Sequence, residues 1–137
     1  MIGYELTGDF EKAIRGITEW AERAPMLVGE VVAEQIVHYS RDLSMTPDGA
    51  TFAAYVPRYA EKRKKAGLQT ARVDLTWTKQ YLDSIKPVRE GADVYVGPAM
   101  QYGPRAEGLS KKRPHIGVAV ETPALAEKKL HEEWSKL

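Results

Sequence analysis

The chain has 137 residues, enough for one domain with one core and too few for two. Hydrophobic residues make up 43% and charged residues 28%, a globular balance rather than a disordered one. Twenty basic against nineteen acidic residues leave a net charge of +1, which argues against a dedicated nucleic-acid binder. The absence of cysteine removes disulfides, thiol nucleophiles and cysteine-bound zinc.

The most apolar stretch, residues 26–39, is broken by Gly29, Glu30, Glu34 and Gln35, so no membrane span is expected. The start, MIGYELTGDF, has neither a basic n-region nor an apolar h-region and does not read as a signal peptide. The expectation is a protein that stays in the cytoplasm or leaves it inside a larger particle.

Phe10, Ile14, Ile17, Ala21 and Ala24 recur every three or four residues and predict a helix over 9–24, with Thr7 or Asp9 as its cap. Pro25 closes it. Val28, Val31, Val32, Gln35, Ile36, Tyr39 and Leu43 repeat the period and predict a second helix over 26–43. Thr46-Pro47-Asp48-Gly49 has turn chemistry. A short basic helix over 58–66 follows Pro57 and stops at Gly67, and 74–83 reads as a further short helix. The runs 84–88 and 93–96 flank Glu90-Gly91-Ala92 as a β-hairpin. Residues 100–113 read as a mobile loop, 116–121 as a strand, and 122–137 as a helix capped by Thr122, with Ala126, Leu130, Trp134 and Leu137 on one face. Trp20 and Trp134 are expected in the core; Trp77 reads equally as an anchor or an interface residue. The domain thus divides into a helix pair (1–43), a loop with the basic helix (44–74), a sheet region (75–121) and a C-terminal helix (122–137). The fold class is α+β, the helix pair and the C-terminal helix packing on a small antiparallel sheet.

Charge is segregated along the chain. Residues 1–57 carry nine acidic and four basic groups, 58–113 six acidic and thirteen basic, and 114–137 four acidic and three basic. Such a pattern is either a solvated basic face or one half of a complementary surface for head-to-tail contacts.

Catalytic patterns are missing. His38, His115 and His131 have no metal-ligand spacing, and the HExxH-like start at His131 has Ser135 where the second histidine belongs. Ser40, Ser44, Ser84, Ser110 and Ser135 lie in no nucleophile elbow, and no phosphate-binding loop follows a strand. Glu132 and Glu133 diverge on a helix, while Glu30 and Glu34 share a solvated face. No enzyme activity, metal or cofactor is expected. A small hydrolase assembled from distant residues would need His115 or His38 beside a carboxylate in a deep pocket. The basic run 58–65, with Tyr59 as a stacking residue, supports an alternative reading as a nucleic-acid contact.

Several short motifs then follow one another: Pro47-Asp48-Gly49, Tyr59-Ala60-Glu61-Lys62, Leu75-Thr76, Leu82-Asp83-Ser84-Ile85, the hairpin, Gln101-Tyr102-Gly103, and Arg113-Pro114-His115-Ile116-Gly117 before the last helix. In this order they resemble the virion morphogenesis family of tailed phages and Mu-like prophages, the tail-completion or neck proteins of the head-tail junction. The resemblance covers roughly residues 45–137; Trp77 stands where that family has glycine and His115 where it has phenylalanine. It implies a structural virion protein that forms a homo-oligomeric ring and docks on tail or connector proteins, with DNA contact in the channel possible. The cations expected to form the docking surface are Arg58, Lys62, Arg63, Lys65, Arg105, Lys111, Lys112 and Arg113. For Arg113 a second reading stands beside the first, a structural tie from the loop to a carboxylate.

Overall fold

The computed structural model describes residues 8–75, 79–103, 109 and 111–137. Thr7, the Asp9 side chain, Trp77 and Arg105 lie outside what it describes, so the cap, anchor and docking roles expected of them do too. The fold is α+β. Helix α1 (Gly8–Val37) runs on into a π-helical segment (His38–Leu43). Helix α2 (Pro57–Lys65) and the one-turn α3 (Gln80–Asp83) follow, then strands β1 (Lys86–Glu90) and β2 (Asp93–Gly97), a 3-10 turn (Met100–Tyr102) and helix α4 (Thr122–Trp134).

The expected helix pair is one helix of 30 residues with Pro25 inside it. The reason is phase. The steps from Phe10 to Ala24 alternate four and three, and the step from Ala24 to Val28 is another four, so both apolar stripes lie on one helical face. Pro25 still removes the bond to the Ala21 carbonyl, but both residues are exposed and solvent can satisfy that oxygen. The helix ends through the π segment, where Ser44 turns left-handed at φ 54° and Met45 N–H bonds Tyr39 O at 2.9 Å.

Helix α4 runs antiparallel along α1. Tyr39 Oη donates to Glu121 just before α4 begins, Trp20 Nε1 donates to Leu130 O at 3.3 Å, and Trp20 meets Trp134 edge to face at 5.0 Å. The two tryptophans therefore form a pair near the far end of the helices rather than the core expected for them, and Trp134 is almost half exposed. Helix α4 packs mainly on α1 and not, as expected, on the sheet. Thr122 is the first residue of the helix and not its cap, and its hydroxyl is buried with no hydrogen bond.

The hairpin pairs Pro87 with Val96 and Arg89 with Val94, and turns at Gly91 with φ 61°. It lies on α1 at Gly29, where a Cβ would fall 2.7 Å from Pro87 Cβ and 2.9 Å from Val94 Cγ1. Only glycine allows so close an approach. The core lies between the C-terminal half of α1 (Ala33, Ile36) and Phe52, Val73, Leu75, Tyr81, Leu82 and Ile85. Burying each large aliphatic side chain here is worth about 1.5–3 kcal/mol.

The turn at 46–49 forms as expected, with Gly49 N–H bonded to Thr46 O at 2.9 Å and Gly49 at φ 87°. The helix expected over 74–83 is confined to Gln80–Asp83, with 76–78 outside the described residues. Residues 116–121 are not a strand. Their alternation is real, but Ile116, Val118 and Val120 face out while His115 and Ala119 are buried. The segment has no ladder partner among the described residues.

Candidate docking surface

Helix α2 carries the densest basic run. Pro57 starts it at the first turn, after an extended Val56. Gly67, at φ 76°, stops it in a Schellman arrangement: Leu68 N–H bonds Arg63 O at 2.9 Å and Gly67 N–H bonds Lys64 O at 3.1 Å. Lys62, Arg63, Lys64 and Lys65 fill the last turn, where cations complement the helix dipole.

Arg63 is not part of an exposed surface, which corrects the expectation for it. The residue is 1% exposed. Its Nε donates to Gln69 O at 3.1 Å, an Nη donates to Asp74 Oδ1 at 3.1 Å, and its guanidinium lies 4.7 Å from the Tyr55 ring centre. Asp74 also accepts from Gln69 Nε2 at 2.8 Å and from Tyr55 Oη at 3.3 Å. Burial raises the Tyr55 pKa above its usual value, with the Asp74 backbone bond opposing. The cause of Arg63's burial is helical spacing. It follows Tyr59 and Ala60 by four and three residues and shares their inner face, while Arg58, Lys62, Lys64 and Lys65 face outward and are exposed. Lys65 is 3.7 Å from Glu61. Lys64 belongs with these exposed cations although it was not singled out from the sequence.

Arg113 is half-buried. Its Nε donates to Ala53 O at 3.1 Å and an Nη to Ala54 O at 3.3 Å, and it lies 5.5 Å from the opposing Tyr55 ring centre. It does tie its segment down, but to backbone carbonyls rather than to the carboxylate expected. Lys111 and Lys112 beside it are exposed. Tyr55 is thus where the two basic segments meet. Of the expected cations, Arg58, Lys62, Lys65, Lys111 and Lys112 are exposed, Arg63 and Arg113 anchor, and Arg105 lies outside the described residues.

The histidines have structural partners. His115 is buried; its Nδ1–H donates to Arg113 O at 3.2 Å, so Nε2 accepts the Tyr81 hydroxyl at 2.5 Å. Desolvation holds its pKa below the ordinary histidine value, and the bond to the Arg113 carbonyl works weakly the other way. Exposed His38 contacts Asp42 at 2.8 Å and His131 is 3.8 Å from Glu127. The open groove at His38 is lined by Glu30, Glu34, Asp42, Asp83, Lys86 and apolar neighbours, with no hydroxyl or thiol among its described lining residues. Tyr59, half-buried, packs edge to face on Tyr55 at 5.3 Å.

The residues of the short motifs also meet. Gly117 abuts Pro47, leaving 2.9 Å between a hypothetical Cβ and Pro47 Cγ. Tyr81, next to Leu82, holds His115 and meets Tyr102 edge to face at 5.7 Å. No described helix is long and apolar enough to cross a membrane. Comparison with protein-family models, with curated proteins and with solved structures gives no match.

Proposed function

We propose that this chain is a structural protein of a phage head-tail junction, a tail-completion or neck subunit that acts in the virion by ring assembly and docking, with no bond made or broken. The observation that carries the reading is the convergence of the motif residues. Pro47 with Gly117, and Tyr102 with Tyr81, the neighbour of the motif residue Leu82, belong to one packed unit although they are dispersed over some seventy positions. From the same unit projects a rigidly anchored basic helix. Arg63 fixes α2 to Asp74, and Arg58, Lys62, Lys64 and Lys65 are left on its outer side. A charged face on a braced helix suits docking better than one on a free loop, because little order remains to be imposed on binding. Acidic residues predominate in the first 57 positions and basic ones in the next 56, which supports contacts between unlike faces of neighbouring copies.

The test is complementation. Deleting the gene from its phage is expected to leave heads and tails that do not join into infectious particles, and adding the purified protein to that extract is expected to restore them. Restored joining with an α2 variant carrying Lys62→Glu and Lys65→Glu would overturn the docking role of the basic face. Normal particles after deletion would overturn the junction reading. A protein that instead retained DNA with an affinity falling steeply in salt would transfer the basic face to nucleic-acid contact.

A further inference from the structure

The groove beside the C-terminal half of α1 has an apolar floor and an acidic rim. The floor is Ala33 and Val37 of α1 with Leu82, Ile85 and Pro87, and the groove measures about 430 Å³. Glu30, Glu34, Asp42 and Asp83 stand round it against one lysine, Lys86. Two of these carboxylates are engaged, Asp42 by His38 at 2.8 Å and Asp83 by Arg41 at 2.9 Å. Glu30 and Glu34 are exposed and form no ion pair among the described residues. They lie one helical turn apart, and Val37 continues their line, so the steps are four and three.

The cations of α2 repeat that spacing. Arg58, Lys62 and Lys65 are exposed, follow at steps of four and three, and share one face of their helix. The two stripes are each about 10 Å long and opposite in charge. Within the chain they do not meet. Lys65 is 3.7 Å from Glu61 on its own helix, and no ion pair among the described residues joins Arg58 or Lys65 to the groove. Arg63 on Asp74 fixes α2 with this face turned to solvent.

We infer that the groove takes the basic face of α2 from a second copy of this chain. The aliphatic stems of the long side chains lie on the apolar floor and their charged heads reach Glu30 and Glu34. This rests on the reading of α2 as a docking face and names what that face docks on. Groove and helix are different surfaces of one molecule, so each copy offers one of each and the contact repeats head to tail. Exposed ion pairs are individually weak, so two free copies hold each other loosely. Closing a ring gives every copy two neighbours and strengthens the whole.

Sedimentation equilibrium of the purified protein at low salt and high concentration tests this. The average mass of the wild type should rise above the monomer, and fall back in about 1 M salt, where charges are screened beyond about 3 Å. Glu30→Lys with Glu34→Lys turns the groove basic like the helix and should weaken association at least tenfold. Arg58→Glu with Lys65→Glu turns the helix acidic like the groove and should do the same. An equimolar mixture of the two variants should recover wild-type association, because each surface then meets its opposite; recovery also shows that both variants are folded. A wild type that stays monomeric at every concentration, a groove reversal that leaves association unchanged, or a mixture no stronger than its components would overturn the inference. These experiments use the protein alone. Particle joining that is lost on reversal of α2, with no self-association of the purified protein, would leave the docking reading standing and remove this partner.

Discussion

Helix α1 contains two glycines whose replacement should have opposite consequences. Alanine at either position gives a helix interior about 1 kcal/mol of intrinsic preference. At Gly16 the added methyl would sit 3.7 Å from Leu137 Cδ2, an ordinary contact, so Gly16→Ala is expected to stabilise by about 0.5–1 kcal/mol. At Gly29 the methyl would fall 2.7 Å from Pro87 Cβ and 2.9 Å from Val94 Cγ1. A proline ring and a β-branched valine, both on the hairpin, cannot swing aside. Overpacking of this kind costs about 1–3 kcal/mol. The propensity gain is common to both variants, so their difference isolates the packing cost, about 3–10 °C in Tm for a chain of this size. Urea and thermal unfolding followed by circular dichroism measure it. Equal gains at both sites would refute the close seating of the hairpin on Gly29.

Removing the buried cation at Arg63 leaves Asp74 and the Tyr55 face without it, so Arg63→Met is expected to cost about 3–5 kcal/mol while Lys62→Ala stays within about 0.5, both read by urea unfolding. Pro25→Ala restores a donor to the Ala21 carbonyl, and a stabilisation of about 1 kcal/mol or more is expected if α1 is continuous; a loss would favour two separate helices. Buried His115 stays neutral with its pKa lowered, so its contribution is complete above about pH 6.5. As pH falls below that value the unfolded chain takes a proton the folded chain refuses, and stability declines until the folded pKa is reached. His115→Phe should flatten that slope in urea midpoints measured between neutral and mildly acidic pH. Glu121 and Glu133, held low by Tyr39 and Lys136, lose their contributions only in the more acidic carboxylate range.

Helix-forming periods, the proline-glycine punctuation of α2 and the hairpin were legible from residues alone, because each depends on local spacing. Long-range choices were not. Pro25 is a local stop signal, and the unbroken four-three phase across it is the countervailing sign that one helix continues. Residues 116–121 carry strand-like alternation, but a strand also needs a neighbour, and the small residues and His115, rather than the branched ones, turn inward. Arg63 sits in a run of cations that composition treats alike. Only its spacing from Tyr59 and Ala60 marks it as inward, and its partner Asp74 lies beyond the helix. The exposed cations of α2 could be read from the sequence; their bracing through Tyr55, Asp74 and Arg113 depends on tertiary contacts.

The central proposal is docking at a virion junction. Light scattering of the purified protein across a concentration series, alone and with the tail and connector proteins of its phage, tests it most directly. The proposal predicts a small species alone that joins those particles when they are added and that fails to join when the α2 cations are reversed. A protein whose mass is indifferent to every virion component would contradict it.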